Sequence, residues 1–322
     1  MTDRSILPGR RAVLAGALAL PLGGALAACS SDSDAPSLGG DDKNVDAYDK
    51  VISGGPIAED SDVEGSEWAK AVREAGTLTR GGTTANQVFS IINPANDKVT
   101  GFDAGITQLL AQYILGKGKA DKVKYVDTTV DTREKLVQNG SVDCVIATYS
   151  ITPERLKLID FAGPYYLSGT AIQVRTEDKD SITGPKDLTG KKLVTQSNST
   201  GIQAIADNVP DYDKKLVKTL PDNESCVAAL KQGRVDAYVL DQGVLLGNSK
   251  ADKEVTVVGE PFTEDPYGVG LSKKHPDAKE FVNTFLQKLV DDGTWKKLWE
   301  ATIGEVIEGD APKPPKIGDL PS

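Results

Sequence analysis

Histidine and methionine are almost missing from this chain of 322 residues. His275 is the one histidine and Met1 the one methionine, and the three cysteines, Cys29, Cys144 and Cys226, are scattered. His275 stands in K-K-H-P, a composition of exposed loops. Histidine-based triads and the ligand spacing of zinc sites are therefore excluded, and no metal or cofactor is implied. Positive charge is also in short supply. Lysine and arginine number 37 against 47 acidic residues, a net charge of −10, which argues against nucleic acid or an anionic membrane face as the partner. That balance describes the surface and not a pocket. Long apolar runs are lacking too: the run from Ala12 to Ala28 is broken by Gly16, Pro21, Gly23 and Gly24 and is too short to span a membrane. What remains, 39% hydrophobic and 26% charged, builds a soluble globular body, and the length admits two domains of ordinary size.

The chain is organised around the stretch from Val142 to Tyr166. It opens on a short β-branched strand, Val142 to Ala147, after the turn residues Asn139 and Gly140. The chain then becomes polar at once, with Thr148, Tyr149 and Ser150. Thr152 suits a helix N-cap, Pro153 the first helical position and Glu154 the positive end of the helix. Arg155 falls in that first turn. A hydroxyl-rich strand end leading to a guanidinium suits a carboxylate, which the fork of N–H donors grips bidentately.

A weaker copy of this phrase follows. The segment from Leu136 to Thr148 aligns without gaps on Ala229 to Asp241, matching Gly140 with Gly233, Val142 with Val235, Asp143 with Asp236 and Thr148 with Asp241. Each copy predicts a helix, a glycine stop and a strand with a polar far end. Ligands of open α/β sheets bind beyond the carboxyl ends of strands. Two such units facing each other would set an arginine on one wall of a cleft and a carboxylate on the other. An α-amino acid carries the complementary charges.

The remaining chain alternates strand and helix, the pattern of a mainly parallel α/β sheet. Expected strands include Val123 to Val126, Lys192 to Gln196 and Val255 to Val258. Expected helices include an apolar stripe from Phe102 to Ile114, Asn223 to Gln232 and Pro276 to Val290. Trp295 and Trp299, four apart, share a helix face that suits core packing. The loop Ser197 to Gly201 opens a helix whose free N–H groups, with Thr200, could take an anion; capping explains the same residues equally well. At the other end, Arg4, Arg10 and Arg11 precede the broken apolar run in the layout of an export signal, by a twin-arginine or a general route. Leu26-Ala27-Ala28-Cys29 resembles the lipobox of bacterial lipoproteins, which implies a lipid anchor on Cys29.

Six phrases occur in order: T-G-F-D at Thr100, S-I-T-P-E-R at Ser150, D-F-A-G-P-Y-Y at Asp160, D-L-T-G-K at Asp187, G-R-V-D-A at Gly233 and D-G-T-W-K-K-L-W at Asp292. Together they resemble family 3 of the bacterial solute-binding proteins, the amino-acid receptors of ABC importers. The closer likeness, carried by A-T-Y-S-I at Ala147 and E-S-C-V-A-A-L at Glu224, is to glutamate-binding lipoproteins of actinobacteria. The resemblance implies a periplasmic-binding-protein-like fold of two α/β lobes, joined by two hinge crossings near Leu167 to Val174 and Pro261 to Val269. The implied division is a signal peptide over 1–29, a flexible tether with a short helix over 30–76, lobe 1 over 77–170 and 264–309, lobe 2 over 171–263 and a disordered tail over 310–322. It also implies that Arg155 grips the α-carboxylate with help from Ser150 and Thr200, that Thr148 and Asp241 take the α-amino group, and that Asn86 and Tyr149 border the ligand. Asn86 stands where the family usually places a stacking aromatic, Gly105 where it often has an acid, and Thr83 and Ile92 where glutamate binders often have basic residues. A buried side-chain carboxylate without a cation is costly, so glutamine and asparagine stand close behind glutamate as ligands.

The expected protein is a lipid-anchored extracytoplasmic monomer that binds a free amino acid, works with permease subunits in the membrane and does no chemistry. Two other classes share the fold: a sensor for a membrane signalling partner, and a dehydratase-like enzyme. The enzyme would need Asp241 or Asp103 buried without a charged partner. Cys144 and Cys226 fall at non-equivalent positions of different lobes, so they are expected to be free thiols.

Overall fold

The structure, a computed structural model, describes residues 42–321. The expected export signal, Cys29 and the start of the expected tether lie outside the described residues. Within them, three helices precede the first strand: α1 (Asp42–Ser53), α2 (Asp60–Glu64) and α3 (Glu67–Ala75). This corrects the tether reading from residue 42 onward. Tyr48, Ile52, Ala58 and Val63 are buried in one core with Phe102 and Leu109. The Tyr48 hydroxyl donates to Gln108 Oε1 at 2.9 Å, and Gln112 Nε2 donates to the carbonyls of Ile52 and Gly55. Burying an aromatic or branched aliphatic side chain contributes ~1.5–3 kcal/mol, enough to hold a polar segment once a groove receives its thin apolar stripe.

The first sheet follows. Strand β1 (Leu78–Gly81) leads to a small antiparallel meander, β2 (Ala85–Asn86), β3 (Ser90–Ile92) and β4 (Val99–Thr100), and then to α4 (Phe102–Leu115). Next come β5 (Val123–Val126), α5 (Arg133–Gln138), β6 (Cys144–Val145), α6 (Pro153–Leu158) and β7 (Asp160–Ser168). The chain then crosses to a second sheet. This contains β8 (Thr170–Arg175), β9 (Leu193–Gln196), α7 (Gly201–Asn208), β10 (Val217–Leu220), α8 (Asn223–Lys231), β11 (Ala237–Asp241), α9 (Gln242–Ala251) and β12 (Val255–Val258). It returns through β13 (Asp265–Leu271) and finishes with α10 (Pro276–Asp291) and α11 (Thr294–Glu300).

The sheet orders are β5-β1-β6-β13-β7 and β10-β9-β11-β8-β12. Each is mixed rather than mainly parallel. In the first, β1 runs parallel to β5 and β6 while β13 runs antiparallel to β6 and β7. In the second, β9 is parallel to β10 and β11 while β8 is antiparallel to β11 and β12. The antiparallel pairings belong to the strands that carry the chain between sheets, which enter from the opposite end.

The sequence repeat has one structural meaning in both sheets. Gly140 and Gly233 end their helices at φ of 80° and 66°, where a side chain would be strained. Three residues on, the Asp143 carboxylate accepts the Thr79 N–H at 2.7 Å, and Asp236 accepts the Lys192 N–H at 2.8 Å. Each aspartate thereby pins the start of the neighbouring parallel strand. Trp295 and Trp299 are both buried in the first core, and Trp295 Nε1 donates to the Tyr165 carbonyl at 2.7 Å. Cys144 and Cys226 are buried free thiols, pushed up in pKa by that burial.

The expected disordered tail is corrected as well. Its described residues form no helix or strand, yet Pro315 is buried, the Gly318 N–H donates to the Gly163 carbonyl at 2.8 Å, and Ile317 and Leu320 pack on first-lobe cores. A proline-rich segment cannot form a helix, but its extended form can still lie in a surface groove.

Candidate functional site

A cavity of about 470 Å³ opens where the carboxyl ends of both sheets meet, within the ~300–1,000 Å³ usual for small-molecule sites. The first lobe lines it with chain following β1 (Thr83, Asn86), β5 (Asp127, Thr129) and β6 (Ala147, Thr148), together with Asp103 and Arg133. The second lobe contributes Gln196 from β9, Asp222, Asn223 and Glu224 after β10, and Val244 and Asn248 from α9.

Arg133 is the cation of this cavity. It begins α5, is 5% exposed, and donates from Nη1 to the Ala147 carbonyl at 3.2 Å. Its buried Nε has no partner. The guanidinium carbon stands 3.7 Å from the centre of the Tyr149 ring, a cation–π contact. Burial, then the charge of Arg155, pushes its pKa down to about 10, against the pull of Tyr149 and Glu134. Thr148 has φ of 43° and donates its N–H to Asp103 Oδ2 at 2.7 Å. Asp103 also accepts the Tyr165 hydroxyl at 2.8 Å and lies 4.0 Å from Arg80, yet burial still raises its pKa. Fully buried Arg80 ties the loops together beneath, donating to the carbonyls of Thr83 and Ile146.

The residues expected at the site separate into two groups. Thr148 and Asn86 line the cavity, while Arg155, Tyr149, Ser150, Thr200 and Asp241 stand outside its lining. Asn86 accepts the N–H groups of Val88 and Phe89 and donates to the Gly243 carbonyl at 3.4 Å, so it bridges the lobes. Arg155 has its predicted place: Thr152 caps the helix, accepting the Arg155 N–H at 3.2 Å, and Pro153 is at the first helical position. Its side chain donates to the Ser150 carbonyl at 2.7 Å and, across the cleft, to the Asn198 carbonyl at 3.2 Å, with Glu134 at 3.8 Å. An unpaired buried charge is costly, and these protein oxygens meet that need. Burial lowers the Arg155 pKa, and Tyr149, Glu134, Asp265 and Asp241 oppose that fall. The Tyr149 hydroxyl is turned to Glu134, and Thr200 starts α7 without a side-chain cap bond.

Asp241 ends β11 and caps α9. Its Oδ1 accepts the Gly243 N–H at 2.9 Å, the Ser168 hydroxyl at 2.9 Å and the Tyr267 hydroxyl, while buried Oδ2 has no partner. Burial, then the charge of Asp265, pushes its pKa up to about 7 against those three donors.

Residues 78–305 match the model of the bacterial extracellular solute-binding proteins, family 3. The chain belongs to that family. The glutamate-binding protein GluB of Corynebacterium efficiens is 34% identical over 79% of this chain and 88% of its own. The glutamine-binding protein GlnH of Bacillus subtilis is 30% identical over 73% and 84%. Among solved structures, the L-cysteine solute receptor of Neisseria gonorrhoeae superposes with a TM-score of 0.66 at 27% identity, covering 74% of this chain and 94% of that one. The fold is the two-lobed one of periplasmic amino-acid-binding proteins, and the family is extracytoplasmic and supplies ABC permeases. No helix among the described residues is long and apolar enough to cross a membrane.

Among the residues that line the cavity, Arg133 is the cation that the sequence reading did not single out. Its signal was its position: it opens the helix after β5, as Arg155 stands in the first turn of the helix after β6.

Proposed function

We infer that this solute-binding protein is a glutamate receptor that passes its ligand to an ABC permease. The carrying observation is Arg133, a buried guanidinium with an unpartnered N–H on the cavity wall. It supplies the cation that a side-chain carboxylate needs, which Thr83 and Ile92 do not provide. The name of the Corynebacterium relative agrees. Arg155 then takes the α-carboxylate by exchanging the Asn198 carbonyl for it, and Asp241 offers its unpartnered Oδ2 to the α-ammonium group. Thr148 and Asn86 border the side chain. A lipid on Cys29 holds the protein, as a monomer, at the outer face of the membrane.

Calorimetry with the common amino acids tests this: glutamate should bind at micromolar concentration or below, ahead of glutamine and asparagine. No binding across the panel would overturn the receptor reading. A second reading, an enzyme on the same fold, draws on Asp241, which is buried without a salt bridge. Ligand released unchanged from the denatured complex would dismiss it; a converted product would establish it.

A further inference from the structure

The two crossings between lobes are held by a reciprocal pair of carboxylates. Ser168, Gly169 and Thr170 form the first crossing. In strand register Asp265 stands opposite Ser168 and Asp241 opposite Thr170. The side-chain bonds run the other way. Asp241, from the second sheet, takes the hydroxyl of Ser168 in the first, while Asp265, from the first sheet, takes the hydroxyl of Thr170 in the second at 3.1 Å. Asp265 also accepts the Thr263 hydroxyl at 2.7 Å in the second crossing. A Cβ on Gly169 would lie 2.2 Å from the Thr263 carbonyl oxygen, so the crossings are in close contact.

Both carboxyl groups are more than nine-tenths buried. The charged and titratable groups facing Asp241 are Asp265 and Tyr267 on β13, Tyr165 and Tyr166 on β7 and Arg155 on α6. The tyrosines are neutral. Arg155 is shared with Glu134 and two carbonyls. Two neighbouring buried carboxylates cannot both ionise cheaply under one shared cation.

We propose that Asp241 and Asp265 act as one anionic hinge site, which holds a proton while ligand is absent and exchanges it for the ligand's ammonium group. The proton passes to solvent and no covalent bond changes. Asp265 is a positioning residue here: it touches no ligand and acts through Asp241 and the crossing hydroxyls. The proposal rests on the amino-acid receptor reading above. The position of Asp241 near pH 7, raised by burial and by Asp265, is consistent with it.

The test is glutamate calorimetry on the whole chain from pH 8 to pH 5, in buffers of different ionisation enthalpy. The site should release close to one proton on binding below pH 7. Affinity should fall about tenfold per pH unit there and level off above, because the carboxyl must deprotonate before the ammonium can pair. Asp265→Asn keeps an acceptor for the two hydroxyls but removes a negative charge, so the bend in the profile should move to lower pH. A bend that stays put in this variant, or a wild-type affinity independent of pH with no proton release, overturns the exchange and leaves the receptor reading standing. Absence of binding by any amino acid at pH 8 overturns both.

Discussion

The two copies of the internal repeat share a framework and differ at its tip. In both, a glycine with positive φ ends a helix, a valine enters the core and an aspartate pins the neighbouring strand. In the second lobe the strand runs on as five residues to Asp241, a carboxylate capping the next helix. In the first the ladder covers only Cys144 and Val145, and the chain bends at Thr148 to reach a helix carrying Arg155. The first lobe therefore carries two guanidinium groups around the Tyr149 ring, with centroid distances of 3.7 and 5.1 Å, while the second ends β11 on Asp241 and sets Asp222 and Glu224 on the cavity wall. The shared scaffold residues sit in the matching connections between helix and strand, whereas the charges stand at element ends that differ: the first turns of α5 and α6 in one lobe, the end of β11 and the start of α8 in the other.

The contrast breaks most sharply at Arg155. Arg155→Ala should cost about 2–5 kcal/mol of glutamate affinity by leaving the α-carboxylate buried without its cation. Calorimetry reads this directly; a variant that binds like its parent would move the carboxylate site elsewhere. Arg133→Gln should cost ~1.5–3 kcal/mol, the worth of a hydrogen bond to a charged group, and only for glutamate. Glutamine, neutral at that end, should bind the variant about as well as the parent. Equal losses for both ligands would mean that Arg133 supports the Tyr149 ring and does not read the side chain.

The framework was legible from local pattern, and the tips less so. Strands at Val123–Val126 and Val255–Val258 appear with the expected bounds, since a β-branched run between turn signals has few alternatives. The Thr152 cap and the Arg155 helix were equally local. The strand expected over Val142 to Ala147 shortens because its first residues pair through the Asp143 side chain and its end is bent by Thr148. Arg133 looks in sequence like any helix-start arginine; only the fold reveals that its helix starts at the cavity. Tyr48 and Ile52 form a stripe too thin to separate from a solvated segment, and the groove that buries them comes from α4 and α11, distant in the chain. Arg155 and Asp241 were expected around one cavity, but both are turned to protein partners, a matter of side-chain direction that no spacing encodes.

The lobes also differ in cover. The first alone is wrapped by the N-terminal helices and the C-terminal tail. Ending the chain after Gly309 should cost about 1–2 kcal/mol of stability, since Ile317 and Leu320 are only partly buried. A thermal melt reads it, and a tail-less chain that melts with the parent would show that these contacts contribute nothing.

The smallest effect bears most directly on the repeat. Asp143→Ala and Asp236→Ala each remove one carboxylate acceptor from one backbone N–H, in geometries that differ by about a tenth of an ångström. Each should cost on the order of 1 kcal/mol in denaturant unfolding. Neither carboxylate faces the cavity, so glutamate affinity should hold in both. The paired measurement matters more than either value. Similar costs would mean that the two phrases perform one structural task and that the lobes diverged only at the strand ends. A large cost for Asp143 beside none for Asp236 would instead make the first lobe dependent on its pin. That outcome would fit its shorter ladder: with only Cys144 and Val145 in β6, the Asp143 bond is a larger share of what holds that strand beside β1.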